Sequence, residues 1–180
     1  MKDIEIESIG SLQPDPDDPD ECFISKPISV PFFNGKKLKF ILVGTSSENT
    51  ANFLADANAA ILNFLKKGEN ERKAVSHLVF KNYADFVEAV GEEDMPTIEN
   101  EGDVWSFVYP QEIYVSRRHR HDKDIYLQIA CECEWEIEHG LQLVFRRGKK
   151  ITRVSDQDGH LTEADAYNKR DEDDELLSKF

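Results

Sequence analysis

The chain has 180 residues, 39% of them apolar, with 36 acidic against 22 basic side chains and a formal net charge of −14. That length fits one domain with a core of ordinary size. The charge argues against unassisted binding to nucleic acid or to an anionic membrane, and no apolar run approaches the ~20 residues of a spanning helix.

The first residues alternate charge with isoleucine and show no apolar signal region. Of three cysteines, Cys131 and Cys133 stand two apart in an extended segment, roughly 7 Å between Cα atoms, a poor separation for a disulfide. A reduced, cytoplasmic protein is the expectation. Residues 1–180 read as a single domain, with an acidic N-terminal strand and loop (1–21), a core (22–165) and a charged tail (166–180).

Residues 4–9 alternate as a short strand. The proline-interrupted acidic stretch 13–20 reads as a loop unable to join a ladder. Residues 22–25 and 28–33 read as extended. Asn34-Gly35, both tolerant of positive φ, predicts a hairpin turn into a partner strand over 38–43. The period then changes. Thr45-Ser46-Ser47-Glu48 is a capping-box pattern, and Phe53, Leu54, Ala57, Ala60, Ile61, Phe64 and Leu65 follow at helical spacing. Lys66-Lys67-Gly68 predicts a left-handed helix stop. A second helical pattern runs from Val75 to Val90, with a bend expected near Phe80-Lys81, and 91–100 is an acidic linker. A short helix or turn around Val104-Trp105 precedes Pro110, and strands follow over 113–116, 125–135, 141–146 and 149–154. Residues 117–123, containing Arg117-Arg118-His119-Arg120-His121, read as a solvated hairpin tip, and the tail from Asp171 as frayed or peripheral.

The densest chemistry lies in Cys131-Glu132-Cys133-Glu134-Trp135-Glu136-Ile137-Glu138-His139-Gly140. As a strand, it sends Cys131, Cys133, Trp135 and Ile137 to one face and Glu132, Glu134, Glu136 and Glu138 to the other. A turn at 138–140 would set Trp135 opposite Leu143, Cys133 opposite Phe145, Glu132 opposite Arg146 and Glu136 opposite Gln142. On this register Ile151 and Arg153 fall on the same apolar face, so a slip near Gly148 is required. The thiols then belong to the core and the glutamates to a wet face.

Metal binding by this block is the weaker reading. Cys-x-Cys is not the usual zinc spacing, and Cys22 is remote. Asp156-Gln157-Asp158-Gly159-His160 imitates part of a calcium loop, but Val154 stands where the first carboxylate belongs, so a turn is expected. There is no Gly-x-Ser-x-Gly elbow and no glycine-rich phosphate loop.

Several segments carry a family likeness: Pro31-Phe32-Phe33-Asn34-Gly35-Lys36-Lys37-Leu38, Val104-Trp105, Ile113-Tyr114-Val115 and Cys133-Glu134-Trp135-Glu136-x-Glu138-His139-Gly140-Leu141, then Gly148-Lys149 and Asp158-Gly159-His160. Over residues 20–165 the chain resembles a family of bacterial domains of unknown function. The resemblance implies no settled activity. Small acidic domains of this kind often accompany toxin systems in which an immunity protein blocks a toxin by direct binding.

The fold expected is α+β: a mainly antiparallel twisted sheet with two helices from 47–90 on one face. The function expected is a non-enzymatic acidic binding protein, an immunity protein for a basic toxin, with no cofactor and no metal. Its contact residues would be Glu132, Glu134, Glu136, Glu138, Asp156 and Asp158, with Trp105 as aromatic anchor. The alternatives are a metal-dependent or hydrolytic enzyme centred on Glu136, Glu138, His139 and His160, and a structural domain.

Overall fold

The computed structural model describes residues 4–45, 50–93, 95–119 and 122–178. It shows a mixed α+β protein built on a large, mostly antiparallel open sheet. Nine strands are found among the described residues: β1 (Ile4–Ile6), β2 (Gly10–Pro14), β3 (Cys22–Ser25), β4 (Ile28–Val30), β5 (Lys36–Val43), β6 (Val108–Arg117), β7 (Ile125–Cys133), β8 (Leu141–Arg146) and β9 (Lys150–Ser155). Their order is β1-β2-β3-β5-β6-β7-β8-β9, with β4 beside the first half of β5. Strands β5 and β6 are parallel, because the helical segment between them carries the chain back to the start of the sheet.

Prolines account for the main departures at the N-terminal side. Gln13 and Pro14 do join the ladder, opposite Ile24 and Phe23. Among the described residues β1 pairs as far as Leu12, and Pro14, which has no N–H to give, meets only β3 there. Extension over 28–33 stops at Val30, and Pro31 opens a 3-10 turn, Pro31–Phe33. That turn drives Phe32 and Phe33 into the core before Asn34 and Gly35 take the positive φ expected of them. Strand β6 passes straight through Pro110, with a bulge at Gln111 absorbing the irregularity.

Residues 50–90 form three helices rather than two: α1 (Thr50–Leu65), α2 (Glu69–Ala74) and α3 (Ser76–Val90). Ser46, Ser47 and Glu48 of the capping-box pattern lie outside the described residues. Gly68 is extended, not left-handed. It caps α2 from outside, its N–H donating to the Glu71 carboxylate at 2.7 Å. Helix α3 runs without interruption through Phe80-Lys81 and ends at Gly91, whose N–H reaches the Val87 carbonyl. The helical spacing correctly marked Phe53, Ala57, Ala60, Ile61 and Phe64 as core. Phe64, Phe32 and Phe145 meet with ring centroids 5.1–5.5 Å apart, joining α1, the 3-10 turn and β8.

The β7–β8 register differs from the expected one by an even number of residues. Leu143 faces Ile129 instead of Trp135, and Phe145 faces Leu127 instead of Cys133. Likewise Arg146 faces Tyr126, and Gln142 faces Ala130. Because side chains alternate with period two, an even shift leaves the thiols in the core. The slip demanded by Arg153 exists, but at Thr152: Val144 faces Arg153 while Phe145 faces Ile151. The bulge turns Arg153 to the second face, beneath a C-terminal strap made of α4 (Glu163–Ala166), a 3-10 turn (Asp171–Asp173) and α5 (Glu175–Ser178). The strap is packed, with Asp174 and Leu177 buried. Asp174 accepts from the backbone of Ala164 and Leu177, both at 3.0 Å.

At the β8–β9 turn, Arg147 and Gly148 both have positive φ, and the Asn63 side chain donates to the Arg147 carbonyl at 3.1 Å. A Cβ on Gly148 would lie 1.9 Å from the Ala60 carbonyl oxygen. The hairpin therefore touches the α1 backbone itself. Gly148→Ala should cost about 3 kcal/mol of stability by combining strain and overpacking, read as a lower midpoint in urea unfolding.

Candidate functional site

Strand β7 ends at Cys133, and residues 134–140 form a folded loop at one end of the sheet. Trp135 plugs this loop into the core: its side chain is 2% exposed, its indole N–H donates to Asn82 Oδ1 at 3.0 Å, and its ring meets Tyr83 edge-on. Beyond the plug, Glu136 turns back and accepts from the backbone N–H groups of Glu138 and His139 at 3.0 and 3.2 Å. Ile137, expected on the core face, is instead 87% exposed at the loop tip. The alternation fails there because the segment has already left the strand.

A second loop lies against the first. Gln157 donates from its backbone to the His139 carbonyl at 3.3 Å and from its side chain to the Cys131 carbonyl at 2.9 Å. A Cβ on Gly140 would fall 2.6 Å from both the Cys131 oxygen and the Gln157 amide, so this joint has no spare room. Glu132, Glu134, Glu136, Glu138 and Asp156 are thus carried on one rim. Their surroundings differ. Tyr109 donates its hydroxyl to Glu134, and Glu136 serves its own loop. Glu132, Glu138 and Asp156 are exposed and enter no ion pair among the described residues. Asp158 faces inward, paired with Arg153 at 2.5 Å and accepting from Gln142 and the His160 backbone, both at 3.0 Å. The Asp156–His160 stretch is therefore a turn organised by a buried cation.

Trp105 lies in a 3-10 turn, Glu101–Phe107, that ties to the rim through the Phe107 carbonyl, which accepts from Glu134 N–H at 3.2 Å. The indole is half-buried. It donates to Ser76 Oγ at 2.7 Å and packs against Phe32, Phe33 and the Arg72 guanidinium.

The four residues of the enzyme reading do not gather. His139 stands 3.6 Å from Glu136 in the exposed loop. His160 instead lines a groove of about 700 Å³ on the second face, together with His119, Cys22, Tyr114, Gln128 and Leu161. Among the described residues no three His, Cys, Asp or Glu side chains are grouped as a metal ion requires. In that groove burial, followed by nearby Asp18 and Asp15, pushes the Cys22 thiol up. Burial and the Glu112 carboxylate push the Tyr114 hydroxyl up to about 12. Neither group is poised as a nucleophile or base near neutrality. Burial also raises the core thiols, Cys133 to about 11 and Cys131 further.

Comparison with protein families decides the chain's kinship: residues 8–161 match the model of a domain of unknown function, DUF6985. The chain belongs to this family. No curated protein and no solved structure matches it. The matched span of this DUF6985 domain contains the whole rim and the groove's strands, and stops before α4.

At the end of the sheet opposite the rim, the expected solvated tip proves to be an ion cluster. Arg118 is 2% exposed and donates to Asp122, Asp165 and Asp171 at 2.7–2.9 Å, the last two contributed by the strap beyond the matched span. Arg146 and Arg147 both pair with Asp124 at 2.6 Å, and Tyr126 donates to Asp122 at 2.8 Å. Arg120 and His121 lie outside the described residues. No local pattern announces this cluster, since Arg118 is 47 and 53 residues from its strap partners.

Burial pushes the Asp122 carboxyl up, but donation from Asp124 N–H, the Tyr126 hydroxyl and Arg118 outweighs it and holds the group below its ordinary value. A depressed folded-state pKa contributes stability that is present above the unfolded value, near 3.8, and is lost as pH falls through the folded value. Unfolding free energy should therefore decline below about pH 4, and Asp122→Asn should flatten part of that decline while lowering stability at pH 7. Cys131 and Cys133 should resist a thiol reagent such as dithionitrobenzoate in the folded protein and react on unfolding, with only Cys22 labelled under native conditions.

Proposed function

We propose that this DUF6985 domain is a non-enzymatic acidic binding protein, an immunity protein that neutralises a basic toxin by direct contact through the rim at 132–138 and 156. The observation that carries this reading is the contrast between the two ends of the sheet. The arginines at one end are matched by carboxylates of the chain itself, whereas Glu132, Glu138 and Asp156 at the other face solvent without a cation among the described residues.

Carboxylates so placed raise the encounter rate with a basic partner and repel nucleic acid, which would leave a nuclease groove open to the protein alone. The rim is also preorganised. Trp135, Glu136, Gly140 and Gln157 hold both loops by core packing and hydrogen bonds, so little ordering entropy is spent on binding. Glu134 and Glu136 add charge, and Trp105 offers only the exposed part of its ring. Asp158 contributes to shape more than to contact, since Arg153 holds it. The work is done in the cytoplasm on this reading, and no helix is long and apolar enough to cross a membrane among the described residues.

The test uses charge reversal at the positions that do no structural work, Glu132→Lys, Glu138→Lys and Asp156→Lys together. Wild-type protein should capture a basic protein from its host at low salt and restore growth when that protein is co-expressed. The triple variant should fold, by circular dichroism, yet lose at least tenfold in affinity and fail to protect. Equal capture and protection by the variant would remove the rim from the interface.

A further inference from the structure

A cleft of about 330 Å³ opens between the junction of α2 with α3 and the β8–β9 hairpin, on the side of the sheet away from the groove of His160. Its walls are apolar: Val75 and Leu78 from the helices, Phe145 and Ile151 from the strands, and Leu176 from α5. It is also lined by cations, Lys67, Lys149 and Lys150, in a chain whose net charge is −14. Neither Lys67 nor Lys149 forms an ion pair among the described residues, and the Lys67 ammonium lies 6.0 Å above the Phe145 ring. One acid, Glu71, also lines the cleft; its carboxylate accepts from Gly68 N–H and lies within the field of Lys67, which leaves the lysines in excess there.

Helix α3 adds to the same field. It begins at Ser76 with no side-chain cap on its first turn, and Val75, His77 and Leu78 of that turn line the cleft. The positive end of a 15-residue helix thus points toward the place where the lysines gather. An apolar slot lined by ammonium groups and by a helix start without a side-chain cap is complementary to a molecule with an apolar tail and a single anionic head. Taking roughly 30 Å³ for a water-sized group, the slot holds about ten methylenes.

We propose that this cleft binds a medium-chain carboxylate, its tail against Val75, Leu78, Phe145 and Ile151 and its head between Lys67 and Lys149. The site is independent of the acidic rim and stands whether or not the rim binds a toxin.

Isothermal titration of the full chain with sodium decanoate below its micelle concentration tests this, with butyrate and 1-decanol as the anion without a tail and the tail without an anion. Saturable one-to-one binding of decanoate is expected, at least tenfold tighter than either control. Lys67→Gln combined with Lys149→Gln should weaken decanoate at least tenfold and leave decanol unchanged. Leu78→Asp should abolish both, and a circular dichroism melt confirms that each variant is folded. Absence of saturable decanoate binding to the wild type, or full affinity in the double lysine variant, overturns the assignment. Should Leu78→Asp fail to fold, the lysine variant alone decides.

Discussion

Burying a guanidinium is the constraint that organises this molecule. Arg118 and Arg153 lie almost without solvent on the second face of the sheet, and a charge in that position is tolerated only when carboxylates surround it. Arg118 draws in Asp122 from its own hairpin and Asp165 and Asp171 from the strap, while Arg153 draws in Asp158, with Glu163 at 3.5 Å. The strap is thereby fastened over strands whose second face, through Tyr126, Val144 and Gln142, is as buried as the first. Such a cluster fixes one arrangement of the chain more than it adds net stability, because removing either partner strands a buried charge.

The same compensation shapes the outer field. Acids consumed by arginines at one end of the sheet leave the excess negative charge concentrated elsewhere, and the 132–138 rim receives much of it. The field of such a rim is strongest at low salt and screened beyond about 10 Å at ordinary ionic strength. What distinguishes it from a solvated acidic loop is its anchorage, since Trp135 fills the core beneath the carboxylates and Gln157 bolts the neighbouring loop to the β7 backbone. The cationic cleft at α2–α3 is the counter-example within one chain, a place where three lysines and apolar side chains meet with a single acid, Glu71, beside them.

Much of the fold was legible in residue order. Period-two runs located β5, β7, β8 and β9, the 3.6-residue period marked the buried face of α1, and Asn34-Gly35 announced its turn. Residue order misled at prolines and strand ends, and also at the helix boundary near Gly68, in the β7–β8 register and at Arg118. Pro14 sits where, among the described residues, only β3 pairs with it, and Pro110 beside a bulge, which no local pattern reveals. Alternation carried past Cys133 put Ile137 in the core, because a period has no means of showing where its strand stops.

For the candidate site, the sequence by itself determined its chemistry, a glutamate-rich block, core thiols and a buried indole; the placing of the thiols follows from alternation and survives an even shift in register. It also required that Arg153 leave the apolar face. Only the tertiary structure decided where the bulge falls, which loops share the rim, that Asp158 turns inward, and that His160 joins His119 while His139 stays outside. Those outcomes depend on contacts between residues tens of positions apart, chosen by the need to compensate buried charge and fill space. Spacing along a chain records neither.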